Sequence, residues 1–337
     1  MATSTPTKAG SRPPERQPAT PADQDRRSSA AARRAFWHRF DVKGAPYAFI
    51  APFFLLFAAV GLFPLAYTAY VSLNDWDLLN SAGHTFIGLD NYRALLHDSF
   101  FWNALRNTVS IWVLSTVPQL LLALALAVLL NSAIRARTFF RVAVALPTAT
   151  SLVAVTIIFA QLYARDFGLV NFLLTHIGFH RIDWQAGRLS SHIAIASMIT
   201  WQWAGYNALI YLAGMQAIPG DLYEAAEIDG AGAFQRFRSV TVPLLRPTIL
   251  FTLIISTIGG LQVFAQPLLF DNTPGNTSGG PGRQFQTLTL YMYEHGFHLF
   301  HFGYASAIAW TLFLLIVVVS IGVMLLTRRG IRSANES

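Results

Sequence analysis

Long apolar runs alternate with short polar ones along most of the chain. Six runs reach membrane length, at about 46–73, 107–130, 142–163, 191–218, 248–270 and 299–326. A helix needs roughly 20 apolar residues to cross the hydrocarbon core. Each run therefore predicts a transmembrane helix, and together they predict an all-α membrane protein with six spans over 45–327. Polar segments carrying aromatic residues separate the spans on one side, at 74–106, 164–190 and 271–298. On the other side lie a short basic loop at 132–141 and a longer stretch at 219–247. Residues 1–44 are rich in Ser, Thr, Pro, Ala and Arg without apolar periodicity, and read as a disordered tail. They have no short apolar core with a cleavage site, so they do not read as a signal peptide. Residues 328–337 read as a second tail. Pro64, Pro118, Pro147 and Pro267 fall inside apolar runs and predict kinks.

The stretch 219–247 departs from the pattern of a simple loop. It holds four of the seventeen acidic residues within nine positions: Asp221, Glu224, Glu227 and Asp229. Pro219-Gly220 predicts a break in the preceding helix. Asp221 stands where an N-cap belongs and Glu224 follows three residues later, as in a capping box. Gly230, with Gly232 close behind, permits a sharp turn. Phe234, Phe237 and Val240 recur on one face of a second short helix, which Pro243 and Pro247 close. The prediction is a helix–turn–helix outside the bilayer. Ala225, Ala226 and Ala231 on it are small enough for another protein surface to come close.

Glu224-Ala225-Ala226, Asp229-Gly230-Ala231, Pro243 and Pro247 resemble the EAA loop of ATP-binding-cassette importer permeases. The fuller string from Tyr223 to Ala231 resembles the sugar-permease branch typified by the maltose and glycerol-3-phosphate transporters, and so does Phe86-Ile-Gly-Leu-Asp-Asn-Tyr92. Val242 before Pro243 is a small departure, since Leu is commoner there. The resemblance covers about 45–330. It implies a type I importer fold in which Tyr223, Glu224, Ala225, Ala226, Asp229, Gly230, Ala231 and Pro243 dock into a groove of an ATPase subunit. It also implies a second, similar permease, two copies of the ATPase and an extracellular solute-binding protein. ATP with its Mg would sit on the ATPase and no cofactor on this chain.

Charge adds orientation. Eighteen of the 24 Lys and Arg residues lie on the side of the two tails and the 219–247 island, and six lie opposite. Cytoplasmic loops carry the excess of positive charge, so both termini and the island are expected in the cytoplasm of a bacterial cell, beneath its plasma membrane. This placement accounts for the net charge of +7 without nucleic acid. With 12% charged residues and no cysteine, thiolate chemistry and a soluble-domain composition are both disfavoured.

No Asp, Glu, Lys or Arg falls inside the six runs. Ion-driven carriers usually keep ionisable groups at membrane depth, and the two lysines, Lys8 and Lys43, lie in no phosphate-binding Gly-rich loop. Ion coupling is therefore disfavoured, although backbone carbonyls can bind Na⁺; if the chain pumps, ATP must be hydrolysed on a separate subunit. The candidate solute contacts are uncharged. Trp203 and Asn207 share a face at i, i+4, with Tyr206 beside Asn207 and Gln202 on another face; Gln262 and Gln266 share a face of the next run. Amides bond hydroxyls and aromatic faces stack on sugar rings, although amides also join helices to one another. The expected solute is a mono- or oligosaccharide, with glycerol-3-phosphate or a polyol as the alternative. The histidines show no metal-ligand spacing supported by carboxylates, and no catalytic cluster is expected.

Overall fold

The computed structural model describes residues 45–77, 84–132, 135–271 and 275–335. The basic tail expected at 1–44 lies outside these residues. Two units emerge, one ending at Ala66 and the other beginning at Tyr67.

The first unit is helical from Ala45. Helix α1 (Ala45–Leu56) passes through a π-turn at Phe57–Leu62 into α2 (Phe63–Ser72). Tyr47–Ser72 forms 26 residues of apolar helix, enough to cross a membrane. Phe49, Phe53 and Val60 are all exposed. A helix apolar all round belongs in lipid or against another protein.

The second unit carries the remaining elements: β1 (Asn74–Asp75), β2 (Thr85–Phe86), α3 (Asp90–His97), α4 (Ser99–Asn131), α5 (Arg137–Ala149), α6 (Leu152–Leu162), α7 (Leu169–His176), α8 (Arg188–Gln216), α9 (Gly220–Ile228), α10 (Ala233–Arg236), α11 (Val242–Leu261), α12 (Ala265–Phe270), α13 (Leu288–Tyr293) and α14 (Phe302–Asn335). The all-α expectation thus needs one amendment, the small antiparallel hairpin β1–β2. The motif at 86–92 explains it. Gly88 takes a positive φ of 60° at the turn into α3. Asn91 Nδ2 then donates to the carbonyls of Ser72 and Asn74, and the Tyr92 hydroxyl bonds Ser72 Oγ.

Helices α4 and α8 form the spine. Ala123, Ala127 and Ala208 are fully buried between them with Tyr211, Leu212 and Met215. Such small residues let helix backbones approach closely where lipid offers no hydrophobic drive to associate. Gly205 of α8 is closer still, because a Cβ there would overlap the Val144 carbonyl of α5. Gly260 of α11 similarly lies under the Trp112 ring. Asp98 starts α4 earlier than the apolar pattern predicted: its carboxylate accepts from Phe100 N at 2.8 Å and caps the helix. The same carboxylate accepts from the Tyr291 and Tyr304 hydroxyls. Burial raises its pKa, but these bonds favour the anion and hold it below the usual carboxylate value.

Three expected elements differ. The run 142–163 is two helices, α5 and α6, bent by 93° at Thr150-Ser151 just beyond Pro147. The run 248–270 stops at Leu261, and α12 restarts at Ala265. The 219–247 island does not end at Pro243 and Pro247. Instead α10 passes through a π-turn at Phe237–Thr241 into α11, giving 29 helical residues from Ala233 to Leu261. Pro243 follows directly on the π-turn, whose wider winding accommodates a residue without an N–H, and Pro247 is carried inside the helix. Four described helices are long and apolar enough to cross a membrane, with the bent pair as a fifth. Helix α8, with 29 residues, has the length, but its buried Ser191, His192, Gln202 and Asn207 make it more polar than the others.

Candidate functional site

Two regions gather the candidate residues, the island at 219–247 and a cavity among α4, α8 and α11.

In the island, Asp221 is not the N-cap. Pro219 occupies that position, no side chain caps the helix, and Asp221 lies in the first turn. The capping box is absent, so Glu224 has no local bond to make. It is exposed and has no hydrogen bond or ion pair among the described residues. At the other end α9 closes in a Schellman motif: Ala231 N bonds the Ala226 carbonyl at 2.9 Å and Gly230 N bonds that of Glu227 at 3.0 Å. This closure requires the left-handed conformation that Gly230 adopts, with φ of 79°. Ala225 contributes its carbonyl to Asp229 N. Two further contacts fasten α9 to the following helix. The Tyr223 hydroxyl shares a 3.0 Å hydrogen bond with Thr241 Oγ1, and Arg236 pairs with Glu227 at 2.8 Å. Two large apolar side chains stand open here, Ile228 at 87% and Phe234 at 76%, beside the exposed Asp221, Glu224, Glu227 and Asp229.

The second region is a cavity of about 400 Å³. All five solute-path candidates line it: Trp203, Tyr206 and Asn207 from α8, Gln262 after the end of α11, and Gln266 in α12. Gln262 reaches it from the break at 262–264 and Gln266 from α12 beyond it, and not from one face of a continuous helix as predicted. Gln202, expected on another face, lines the same cavity. Thr116, Gln119 and Ser256 were not singled out from the sequence. Their signal was the same, uncharged polar groups in apolar runs. Ser256 Oγ accepts from Gln119 Nε2 at 3.2 Å and from Asn207 Nδ2 at 3.4 Å, joining three helices at the wall. The Trp203 and Tyr206 rings stand edge to face, 6.0 Å apart, and both remain half exposed. None of the described residues lining the cavity carries a formal charge.

The family model described as binding-protein-dependent transport system inner membrane component matches residues 94–332. The chain belongs to this family. It is therefore a multi-pass, non-catalytic membrane component of a transport system whose ATPase is a separate subunit. Among its relatives, an arabinooligosaccharide transport permease of Halalkalibacterium halodurans is 34% identical over 85% of this chain and 88% of its own. A lactose transport permease of Rhizobium radiobacter is 36% identical over 87% of this chain and 96% of its own. A sulfoquinovosyl glycerol transport permease of Agrobacterium fabrum is 35% identical over 80% and 86%. The crystal structure of a bacterial ABC transporter involved in import of the acidic polysaccharide alginate shares the fold. Its TM-score is 0.73 at 23% identity, over 88% of this permease and 99% of that chain. The fold is that of a type I ABC importer permease.

Proposed function

We propose that this permease carries a sugar across the bacterial plasma membrane, with six spans and both termini in the cytoplasm. It would act in a complex with a second, similar permease, two copies of an ATPase that holds ATP and Mg, and an extracellular binding protein. The observation that carries the reading is the convergence of Trp203, Tyr206, Asn207, Gln262 and Gln266 on one uncharged cavity. Relatives named for arabinooligosaccharide, lactose and sulfoquinovosyl glycerol transport support it. So does the fold shared with an alginate transporter crystallised with a pentasaccharide-bound periplasmic protein.

Coupling follows from the continuity of the island with the membrane. The exposed Ile228 and Phe234 offer an apolar contact for the ATPase, and the unpaired Glu224 offers a carboxylate to a basic group on it. The Schellman closure, the Tyr223–Thr241 bond and the Glu227–Arg236 pair make α9 and α10 one piece. Force on that piece passes through the π-turn into α11 and reaches Ser256 and Gln262 at the cavity wall. ATP-driven closure of the ATPases thus reshapes the cavity, which opens alternately to either side. Coupling demands that ATP and the loaded binding protein favour the same conformation.

The test is the native mass of the complex co-purifying with this chain, beside sugar uptake in a strain lacking it. A second permease and an ATPase pair, with uptake restored, would support the reading. A chain that purifies alone under mild conditions and restores no uptake would overturn it.

A further inference from the structure

A second cavity, of about 470 Å³, lies at the end of the permease where α4 and α14 begin. A strap at 74–77, made of β1 and the two residues after it, forms one wall. His295, His301 and Tyr304 form another, with Asp98 between. The strap is tied across to the start of α14. Asp77 and His301 make an antiparallel β-bridge, and Gly303 N donates to the Trp76 carbonyl at 3.2 Å. A Cβ on Gly303 would overlap the Asn74 carbonyl, so the backbones are as close as a glycine permits. Phe300, left-handed with φ of 60°, makes the turn that leads into His301. His301 Nε2 then stands 3.5 Å from Asp77 Oδ2.

Of these ties only the side-chain pair depends on a proton. It is ionic only while the imidazole is protonated, and histidine is the side chain that ordinarily changes charge between pH 5 and 8. The setting is acidic: Asp75 and Asp98 line the same cavity, and no Lys or Arg does among the described residues. Burial opposes the charge on Asp98, but the hydroxyls of Tyr291 and Tyr304 outweigh it and keep the carboxylate ionised. The His295 ring is 6.0 Å from that of His301, and burial pushes it below the usual histidine value. The other charged groups nearby are engaged with one another. Arg283 pairs with Glu294, and Arg93 with Asp90. Three more imidazoles stand around the site. His84 stacks on Trp76 at 4.6 Å, His97 bonds the Arg93 carbonyl, and His298 lies against Tyr293.

We propose that Asp77 and His301 form a proton-dependent clasp, which ties the strap to the start of α14 across this cavity, tight in acid and slack in alkali. The pair attracts only while the imidazole holds its proton. Its contribution is therefore complete near pH 5 and is lost as pH rises through the range in which histidine discharges. Above that range backbone bonds alone hold the strap, and the cavity opens more often. The permease thereby responds to the pH on the side where 74–106 lies.

The test is hydrogen–deuterium exchange of the purified full-length permease, with whatever subunits it retains, at pH 5.5 and 8.0 after correction for intrinsic rates. The reporter is the peptide containing Gly303, whose amide the strap protects. Its protection should be about 3- to 5-fold greater at pH 5.5, as for an exposed ion pair. In Asp77→Asn and in His301→Gln the two values should coincide, whereas His84→Gln should keep the difference. Equal protection of the wild type at both pH values would overturn the clasp, even if a variant failed to assemble. A difference that survives in both Asp77→Asn and His301→Gln, or that vanishes in His84→Gln, belongs to other groups and would overturn it as well.

Discussion

The island and the cavity were both built from short polar sets among apolar runs, yet their finish is opposite. The island turns its large apolar side chains outward, with Ile228 and Phe234 among the most exposed in the second unit. Its internal bonds serve shape: one glycine-dependent closure, one hydroxyl pair and one ion pair. The cavity buries its polar groups and joins them across helices through Ser256. The island thus leaves Ile228 and Phe234 open beside four acidic side chains, whereas the cavity closes over most of its polar groups. The two regions are linked by α11, so each can be disabled without dismantling the other.

Substitutions can separate them. The largest effect is expected at Gly205, where any Cβ meets the Val144 carbonyl. Gly205→Val should remove most of the folded permease from the membrane fraction, because overpacking a tight contact costs about 1–3 kcal/mol or more; normal abundance on immunoblot would refute the close packing of α5 on α8. Gly230→Val comes next. It should insert at wild-type levels yet lose uptake and the co-purifying ATPase, because a β-branched residue at φ of 79° opposes the Schellman closure. Retained ATPase in this variant would separate the turn from docking. Trp203→Ala should lower the affinity for solute up to about 10-fold, the stacking of one aromatic face being worth about 0.5–1.5 kcal/mol, while the ATPase still co-purifies. Loss of the ATPase there would mean that the two regions are not separable. The smallest effect belongs to Glu224→Gln, which keeps the size and removes the charge. Coupled ATPase activity should fall about 2- to 5-fold and depend less on salt, as for an exposed ion pair worth up to about 1 kcal/mol. An unchanged salt response would remove the ionic part of docking.

The island was legible because its residue types are tied to backbone requirements. Gly230 sits where φ is positive, and Ala226 and Ala231 meet across the closure. Its two ends were less legible. Pro219 took the cap position that Asp221 resembles, and Pro243 fits beside a π-turn as well as it closes a helix. The membrane helices were legible as apolar runs, and the 93° bend left its trace in Pro147 and the polar Thr148, Thr150 and Ser151, which a reading of the run as a single span passes over. The end of α11 did leave a trace in Gly259-Gly260. Gln202 was left out of the candidate set for a geometric reason. A helical wheel ranks faces within one helix, whereas the cavity is closed by α4, α8, α11 and the α11–α12 break together.

The segment 277–287 has a consequence of another kind. Gln284, Phe285, Gln286 and Thr287 are buried; Asn107 Nδ2 donates to the carbonyls of Arg283 and Gln286, His192 Nε2 bonds that of Gln284, and Leu288 N donates to Thr108 Oγ1. Phe285 meets Phe270 edge to face at 5.5 Å. Both belong to a dry cluster that joins Ile199 and Val263 of the cavity wall to Trp184 in the 164–190 loop. Apolar packing of this kind offers a water no hydrogen-bond partners, so the cluster itself cannot hold a chain of waters.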